Sequence, residues 1–589
     1  MKILDKINSP KDLKTLERAD LNVLAEEMRA VLLKKLSVHG GHFGPNFGFV
    51  EATIALHYVF DSPTDKIVYD VSHQSYPHKM LTGRKDAFIY EDKYDDVTGY
   101  TNPDESEHDF FKVGHTSTAL SLAAGLAKAR DLKGEKYNVI AVVGDGSLSG
   151  GEALEALDYA GEANGNLIIL INDNDMSIAK NHGGIYKNLK LLRDTEGKAE
   201  LNLFKSMGLN YVFVKNGNDI DSLINAFESV KGLTSPVVVH VVTEKGKGYK
   251  FAEENKEAWH WTMPFDVKTG KRVSFGGESY EELTGKYLLN KMKNDPAVVA
   301  ITAAVPMVFG FNPERRKLAG AQYVDVGIAE EHGVALASGI AKNGGKPVFA
   351  THASFIQRTY DQLSQDVCIN KSPAVILVNT ASVYAMNDVT HLGLYDIPLI
   401  SNIPEMVYLA PTCKQEYFAM LDYAIEQKDR PVAIRMPCNG VIESDKTFDT
   451  DYSVINKFKV DIAGEKVAVI ALGDFYQLGE ELVKSLSNEL NINATLINPR
   501  FASGIDERLL GELKRNHSLV VTLEDGSLSG GFGEKVASFY GDTSVRVKNF
   551  GVKKAFYDRF DLNELLIENN LTLDLMTKAI ANILNGEKR

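Results

Sequence analysis

At 589 residues the chain is too long to bury one core, and roughly three or four domains are expected. Hydrophobic residues make up 44% and charged residues 24%, the balance of a globular protein, and the net charge of −14 argues against a nucleic-acid binder, which needs a basic face. Three scattered cysteines, Cys368, Cys413 and Cys438, lack the paired spacing of a zinc site or a disulfide framework. The N-terminal run MKILDKINSPKDLKTLERADL is charged throughout and lacks the apolar core of a secretory leader. No stretch reaches the ~18 apolar residues of a membrane span, so a cytoplasmic location is expected.

In chain order, short apolar runs read as buried strands: KIVYDV at 66–71, YNVIAVVGDG at 137–146, NLIILIND at 166–173 and PVVVHVVT at 236–243. AVILVN at 374–379, VAVIAL at 467–472 and SLVVTLED at 518–525 follow. They are rich in Val and Ile and do not alternate with polar residues, as strands covered on both faces should not. Helical patterns separate them, such as TALSLAAGLAKARDL at 118–132 and GEALEALDYAGEA at 151–163. Strand alternating with helix predicts an α/β architecture with mostly parallel sheets. Apolar periodicity lapses across 266–282 and 438–458, which predicts domains over 1–275, 276–445 and 446–589. DGSLSGG occurs at 145–151 and again at 525–531. Only the first copy has the downstream asparagine described next, and the second is expected to be a structural turn.

The segment GDGSLSGGEALEALDYAGEANGNLIILINDNDMSI is the most informative. Gly144-Asp145-Gly146 ends one strand, a helix follows, and the next strand ends in Asn172-Asp173-Asn174. Both motifs then fall at the C-terminal ends of parallel strands, where open α/β sheets collect ligands. Mg²⁺ takes hard oxygen ligands and shares them with phosphates. Asp145 offers a carboxylate, Asn174 an amide oxygen and Met176 a backbone carbonyl. Gly144, Gly146 and Ser147 are expected to bring main-chain N–H groups to a diphosphate. Asp173 and Asp175 are expected to lie behind the ligands or in solvent.

With the stretches at 39–84, 113–131, 325–341, 354–362, 388–396 and 527–538, this unit resembles the transketolase-like thiamine-diphosphate enzymes. Within them it is most similar to the 1-deoxy-D-xylulose-5-phosphate synthases. The resemblance runs in order along nearly the whole chain. It implies three α/β domains (diphosphate-binding, pyrimidine-binding and C-terminal), thiamine diphosphate with Mg²⁺, and a homodimer. The implied reaction is decarboxylation of pyruvate and transfer of the two-carbon unit to an aldehyde, glyceraldehyde 3-phosphate. Its product, 1-deoxy-D-xylulose 5-phosphate, is a precursor of isoprenoids, thiamine and pyridoxal.

Residue by residue, Glu330 in GIAEEH matches the glutamate that hydrogen-bonds the aminopyrimidine ring, and Phe355 the aromatic that stacks on it. His42, His73 and His260 match histidines near the thiazolium and pyruvate, where an imidazole can pass protons or steady an oxyanion. Gly114 and Thr116 match backbone contacts to the diphosphate. On the acceptor side Arg358 and His391 are retained. Thr380 stands where the family has Arg, Asn387 where it has Asp, Cys438 where it has a second Arg, and His352 where Tyr is usual. Losing two arginines removes planar phosphate recognition worth ~1.5–3 kcal/mol per charge-assisted bond. The alternatives are therefore the same chemistry on a different aldehyde, or transketolase action on ketose phosphates. A pyruvate dehydrogenase component would need a lipoyl partner, which nothing here suggests. A catalytically silent homologue is opposed by the presence of Glu330, Asp145 and Asn174.

Overall fold

The computed structural model describes residues 2–273 and 276–586. The chain forms two compact units, Met1–Gly276 with Gly327–Ala329, and Gly277–Val326 with Glu330–Arg589. The first is built on a five-stranded parallel sheet in the order Lys66–Tyr69, Val139–Gly144, Ile168–Asp173, Val237–Val242, Asn210–Val214. The non-alternating runs have a direct cause. Ile140, Val142, Ile168 and Leu170 face one apolar layer, with Leu24, Leu32 and Phe227. Val139, Ala141, Val143, Ile169 and Ile171 face another, with Leu120, Ala123 and Leu157. Both faces are covered by helices, so both sets of alternate positions must be apolar. Each such side chain contributes about 1.5–3 kcal/mol on burial. A separate antiparallel pair, Gly41–His42 with Trp261–Thr262, sets His42 opposite Trp261.

The second unit carries two sheets. One is six-stranded and parallel, in the order Val407–Leu409, Val432–Arg435, Val375–Asn379, Lys346–His352, Val298–Thr302, Tyr323–Asp325. The other is five-stranded, in the order Lys459–Ile462, Thr495–Asn498, Lys466–Ala471, His517–Ser527, Arg546–Val552, with its first strand antiparallel to the next. The α/β class with mostly parallel sheets is as expected from the strand runs. The lapse near 445 separates the sheets but not their cores, because Phe349, Ile376, Ile470, Ile497 and Val520 belong to one continuous apolar cluster.

The second DGSLSGG copy is tied to neighbouring segments, its Asp525 accepting from Arg435 Nη1 and its Ser527 N–H donating to Leu394 O. Glu524 accepts hydrogen bonds from the N–H groups of Phe532 and Gly533, at 2.7 and 2.9 Å, at the start of the helix Phe532–Tyr540. Among the described residues no helix is long and apolar enough to cross a membrane.

Candidate active site

In the first unit, Gly144 pairs with Asn172 across neighbouring parallel strands, which places Asp145 and Asn174 side by side just past the strand ends. Asp145 is buried, accepts a 2.6 Å bond from Asn181 Nδ2, and accepts the backbone N–H of Asn174. Burial, and then the nearby Asp173, push its carboxyl well above the usual carboxylate range. Asn174 Oδ1 is buried without any hydrogen-bond partner. An orphaned buried oxygen is costly, and it belongs to the residue whose backbone N–H binds the desolvated Asp145 carboxyl. A hard cation would satisfy both. Met176 sits in the same tight turn, bridged to Lys180, with Ser177 N–H donating to Ala179 O at 3.0 Å. Among the described residues no group of three or more His, Cys, Asp and Glu side chains could cage a metal. The donor set is instead one carboxylate, one amide oxygen and a backbone carbonyl, which suits an ion completed by phosphate oxygens.

The glycines divide in role. A Cβ on Gly144 would meet nothing within 4 Å, so that face is open to a ligand. A Cβ on Gly146 would lie 2.7 Å from Ser177 Cβ, so the packing of the Asn174 turn also excludes a side chain at Gly146. Ser147 O accepts from Ser117 Oγ at 2.8 Å. Gly114 and Thr116 lie on the loop that leads into the helix Ala119–Lys133. That loop is held by buried Asp70, which accepts the N–H groups of Ser117 and Thr118 at 2.9 Å and of Ala119 at 3.0 Å.

The three predicted histidines converge. Ring centroids are 5.2 Å apart for His42 and His73, 5.2 Å for His73 and His260, and 5.8 Å for His42 and His260. His73 Nδ1 is buried without a partner. Burial holds the imidazoles of His73 and His260 well below the ordinary histidine range, reinforced for His73 by His42 and for His260 by Lys245. Of the two nearby acids, Asp173 is buried in bonds to Arg193 and His240, and Asp175 is exposed and paired with Arg193.

In the second unit Glu330 opens the helix Glu330–Lys342 and is buried, with Oε2 lacking a hydrogen-bond partner. Burial raises its carboxyl to about 7 against the opposing charge of Arg358, 3.9 Å away. Phe355 lies between two histidines, its ring centroid 5.2 Å from His352 and 5.6 Å from His391. His352 Nδ1 meets Thr380 Oγ1 at 3.1 Å, and burial lowers its imidazole to about 4. Glu330, Arg358, Phe355, His352, His391 and Thr380 are thus linked neighbours. Cys438 N–H donates to Asp474 Oδ2 at 2.8 Å, and burial pushes its thiol well up. Asn387 does not join this group through its side chain. It is exposed, its Nδ2 donates to Phe560 O at 3.2 Å, and its carbonyl accepts Arg559 N–H at 2.7 Å.

A family model described as 1-deoxy-D-xylulose-5-phosphate synthase matches residues 4–201 and 195–243. Models of the transketolase pyrimidine binding domain and C-terminal domain match 278–441 and 456–574. A 1-deoxy-D-xylulose-5-phosphate synthase of Caldanaerobacter subterraneus subsp. tengcongensis is 39% identical over 96% of both chains. The chain belongs to the 1-deoxy-D-xylulose-5-phosphate synthase family. Synthases of the same name from Clostridium beijerinckii and Lachnoclostridium phytofermentans are 37% and 38% identical, covering 98% and 97% of this chain and 99% and 97% of theirs. Among solved structures, a split-gene transketolase is 26% identical over 53% of this chain and all of its own, with a TM-score of 0.45.

Membership in this synthase family makes the chain a thiamine-diphosphate transferase acting on small molecules, and it favours the synthase reading over the transketolase alternative. The site of this synthase-family chain also contains residues that its sequence patterns did not single out. Lys245 is buried, with Nζ 2.5 Å from Ser177 O and 3.1 Å from His260 Nδ1, so it joins the turn after Asn174 to the histidine cluster. Asn46 is wholly buried and donates from Nδ2 to the carbonyls of both His42 and His73 at 2.8 Å. Asn46 stands inside the quoted stretch HGGHFGPN, but its partnership with His73 spans 27 positions and has no local signature.

Proposed function

We propose that this chain condenses pyruvate with glyceraldehyde 3-phosphate to give 1-deoxy-D-xylulose 5-phosphate and CO₂, using Mg²⁺ and thiamine diphosphate. The observation that carries the reading is the unpartnered Asn174 oxygen beside Asp145 at adjacent strand ends, a vacancy in hydrogen bonding that a hard cation fits. Asp145, Asn174 and the Met176 carbonyl would hold the ion. Gly144, Gly146, Ser147, Gly114 and Thr116 would present backbone toward the diphosphate. Thiamine diphosphate, when bound, supplies the nucleophilic carbon that adds to the keto group of pyruvate and retains the two-carbon unit.

The protein's part is protonic and electrostatic. With its carboxyl raised to about 7, Glu330 holds a proton at neutral pH for much of the time and can donate it to a ring nitrogen of the pyrimidine. Phe355 offers a flat apolar face to that ring. His73 and His260, kept neutral by burial, can donate or accept one hydrogen bond without bringing charge into the pocket. His42 completes their cluster and is assigned to pyruvate. His391, His352, Arg358 and Thr380 are assigned to the aldehyde, with Cys438 close to the buried carboxylate Asp474. We also assign a homodimeric assembly, a cytoplasmic location, and diphosphate, pyrimidine and C-terminal domains over 1–275, 276–445 and 446–589.

One observation favours a second reading with a different aldehyde. The guanidinium of Arg435, three residues before Cys438, is buried and engaged by both Asp396 and Asp525, which leaves no free fork there for a phosphate. The test is turnover of labelled pyruvate with glyceraldehyde 3-phosphate. Release of CO₂ with formation of 1-deoxy-D-xylulose 5-phosphate, dependent on Mg²⁺ and thiamine diphosphate, is expected. Transfer from xylulose 5-phosphate without CO₂ release from pyruvate would reject the proposal.

A further inference from the structure

Behind the Asn174 turn lies a set of side chains to which no role has been given above. Asp173, wholly buried at the end of its strand, accepts from Arg193 Nη1 through both carboxylate oxygens at 2.7 Å, and from His240 Nε2 at 2.8 Å. His240 Nδ1 meets the hydroxyl of Tyr211 at 2.8 Å. An ionised Asp173 only accepts, so His240 carries its proton on Nε2, and Tyr211 donates to the lone pair on Nδ1. Both ring nitrogens of this imidazole are thus engaged.

Arg193 does more than neutralise Asp173. Its Nη2 reaches Asp175 at 2.8 Å, so one guanidinium holds the carboxylates on both sides of Asn174 in sequence. Asp175 adopts φ +61°, the left-handed conformation, and its N–H turns back to Asp173 Oδ1 at 3.1 Å. That turn carries Asn174, whose backbone N–H binds Asp145, and leads directly into Met176. Arg193 stands in the last turn of the helix Gly184–Asp194 and keeps 16% of its side-chain surface exposed. A rigid helix therefore sets the position of the fork that sets the turn.

We propose that Arg193 is a positioning residue for the metal-binding turn, holding the Asn174 oxygen and the Met176 carbonyl in place before the ion arrives. This rests on the reading of Asp145, Asn174 and Met176 as Mg²⁺ ligands. Residues behind metal ligands typically change affinity by about 10–100-fold when removed. Electrostatics alone predicts the opposite sign, because deleting a cation near the site should tighten the binding of another cation. The direction of the change therefore separates positioning from charge.

The experiment is calorimetric titration of Mg²⁺ into the full-length protein with saturating thiamine diphosphate, for wild type, Arg193→Lys and Arg193→Gln. The Kd for Mg²⁺ should rise roughly 10–100-fold in Arg193→Gln, and by less in Arg193→Lys, which keeps the charge but lacks the planar fork that fixes both carboxylates at once. An unchanged or lowered Kd in Arg193→Gln overturns the proposal. Should that variant fail to fold, Arg193→Lys decides: a raised Kd supports the proposal and a wild-type Kd overturns it. A wild-type chain that binds no Mg²⁺ rejects the ligand assignment itself, and this inference with it.

Discussion

The guanidinium of Arg358 stands 3.9 Å from the carboxylate of Glu330, too far for a hydrogen bond, and Glu330 Oε2 has no other partner. Burial therefore outweighs the opposite charge and the carboxyl rises to about 7. In an unfolded chain a glutamate titrates near about 4.3. A folded value above the unfolded one stabilises most at low pH. The contribution is complete below about 4.3 and is lost as pH rises through about 7. The loss by pH 8 is on the order of 3 kcal/mol. Glu330→Gln should remove this dependence, so that the cofactor-free variant melts above wild type at pH 8 and close to it at pH 5. Scanning calorimetry at both pH values checks this, and equal pH slopes in the two proteins would count against the buried-acid assignment. Turnover of the variant should fall by at least ~10²-fold.

Asn174 separates function from stability. Its Oδ1 makes no hydrogen bond, so Asn174→Ala should change the stability of the cofactor-free protein by less than about 1 kcal/mol. On the proposed ligand role, the affinity for Mg²⁺ with thiamine diphosphate should fall by at least ~10-fold. Denaturant melts and Mg²⁺ titration give the two numbers. A large loss of stability with unchanged metal affinity would make Asn174 a structural residue.

What could be read in advance follows from the range of each interaction. The strand runs at 137–146 and 166–173 were legible because both faces of their sheet are apolar, and Asp145 and Asn174 because they end those runs. Short strands such as Tyr323–Asp325 and Val407–Leu409 carry too few residues to show a period. Asp70 looked like the end of a strand, and only the fold brings residues 117–119 to its carboxylate. Gly146 was legible as a position that needs glycine, and Ser177 on the next loop adds a packing reason that has no local signature. Asn387 sits beside residues that do converge, but its hydrogen bonds go to 559 and 560, more than a domain's length of sequence away.

Asn387 accordingly has a different expected phenotype from its neighbours. An exposed amide with one 3.2 Å bond to a carbonyl should contribute no more than about 0.5–1.5 kcal/mol. Asn387→Ala should lower stability by that order and leave kcat/KM for the aldehyde within about threefold of wild type, while His391→Ala loses at least ~10-fold. Steady-state kinetics on both variants decides between a substrate contact and a tie to the segment 559–560. A tenfold or greater rise in the aldehyde KM of Asn387→Ala would restore it to the substrate site.

The last prediction concerns the acceptor. Arg435 donates from Nε to Asp396 at 2.8 Å and from Nη1 to Asp525, and all three groups are buried. Asp474, also buried, is raised to about 7 by burial and by Asp525, so acids outnumber the cation around Cys438. A phosphate brought there would meet an already neutralised guanidinium and would lose its hydration without gaining a bidentate partner. Two free arginines would be worth ~1.5–3 kcal/mol per bond, and their absence narrows the preference for a phosphorylated aldehyde. Glyceraldehyde 3-phosphate should still give the highest kcat/KM, but by less than about 100-fold over glyceraldehyde itself. Labelled pyruvate with a panel of phosphorylated and unphosphorylated aldehydes measures the ratio. A ratio above ~10⁴ would mean that cations elsewhere in the chain hold the phosphate. A ratio below unity would transfer the function to the second reading, in which the two-carbon chemistry is kept and the acceptor carries no phosphate.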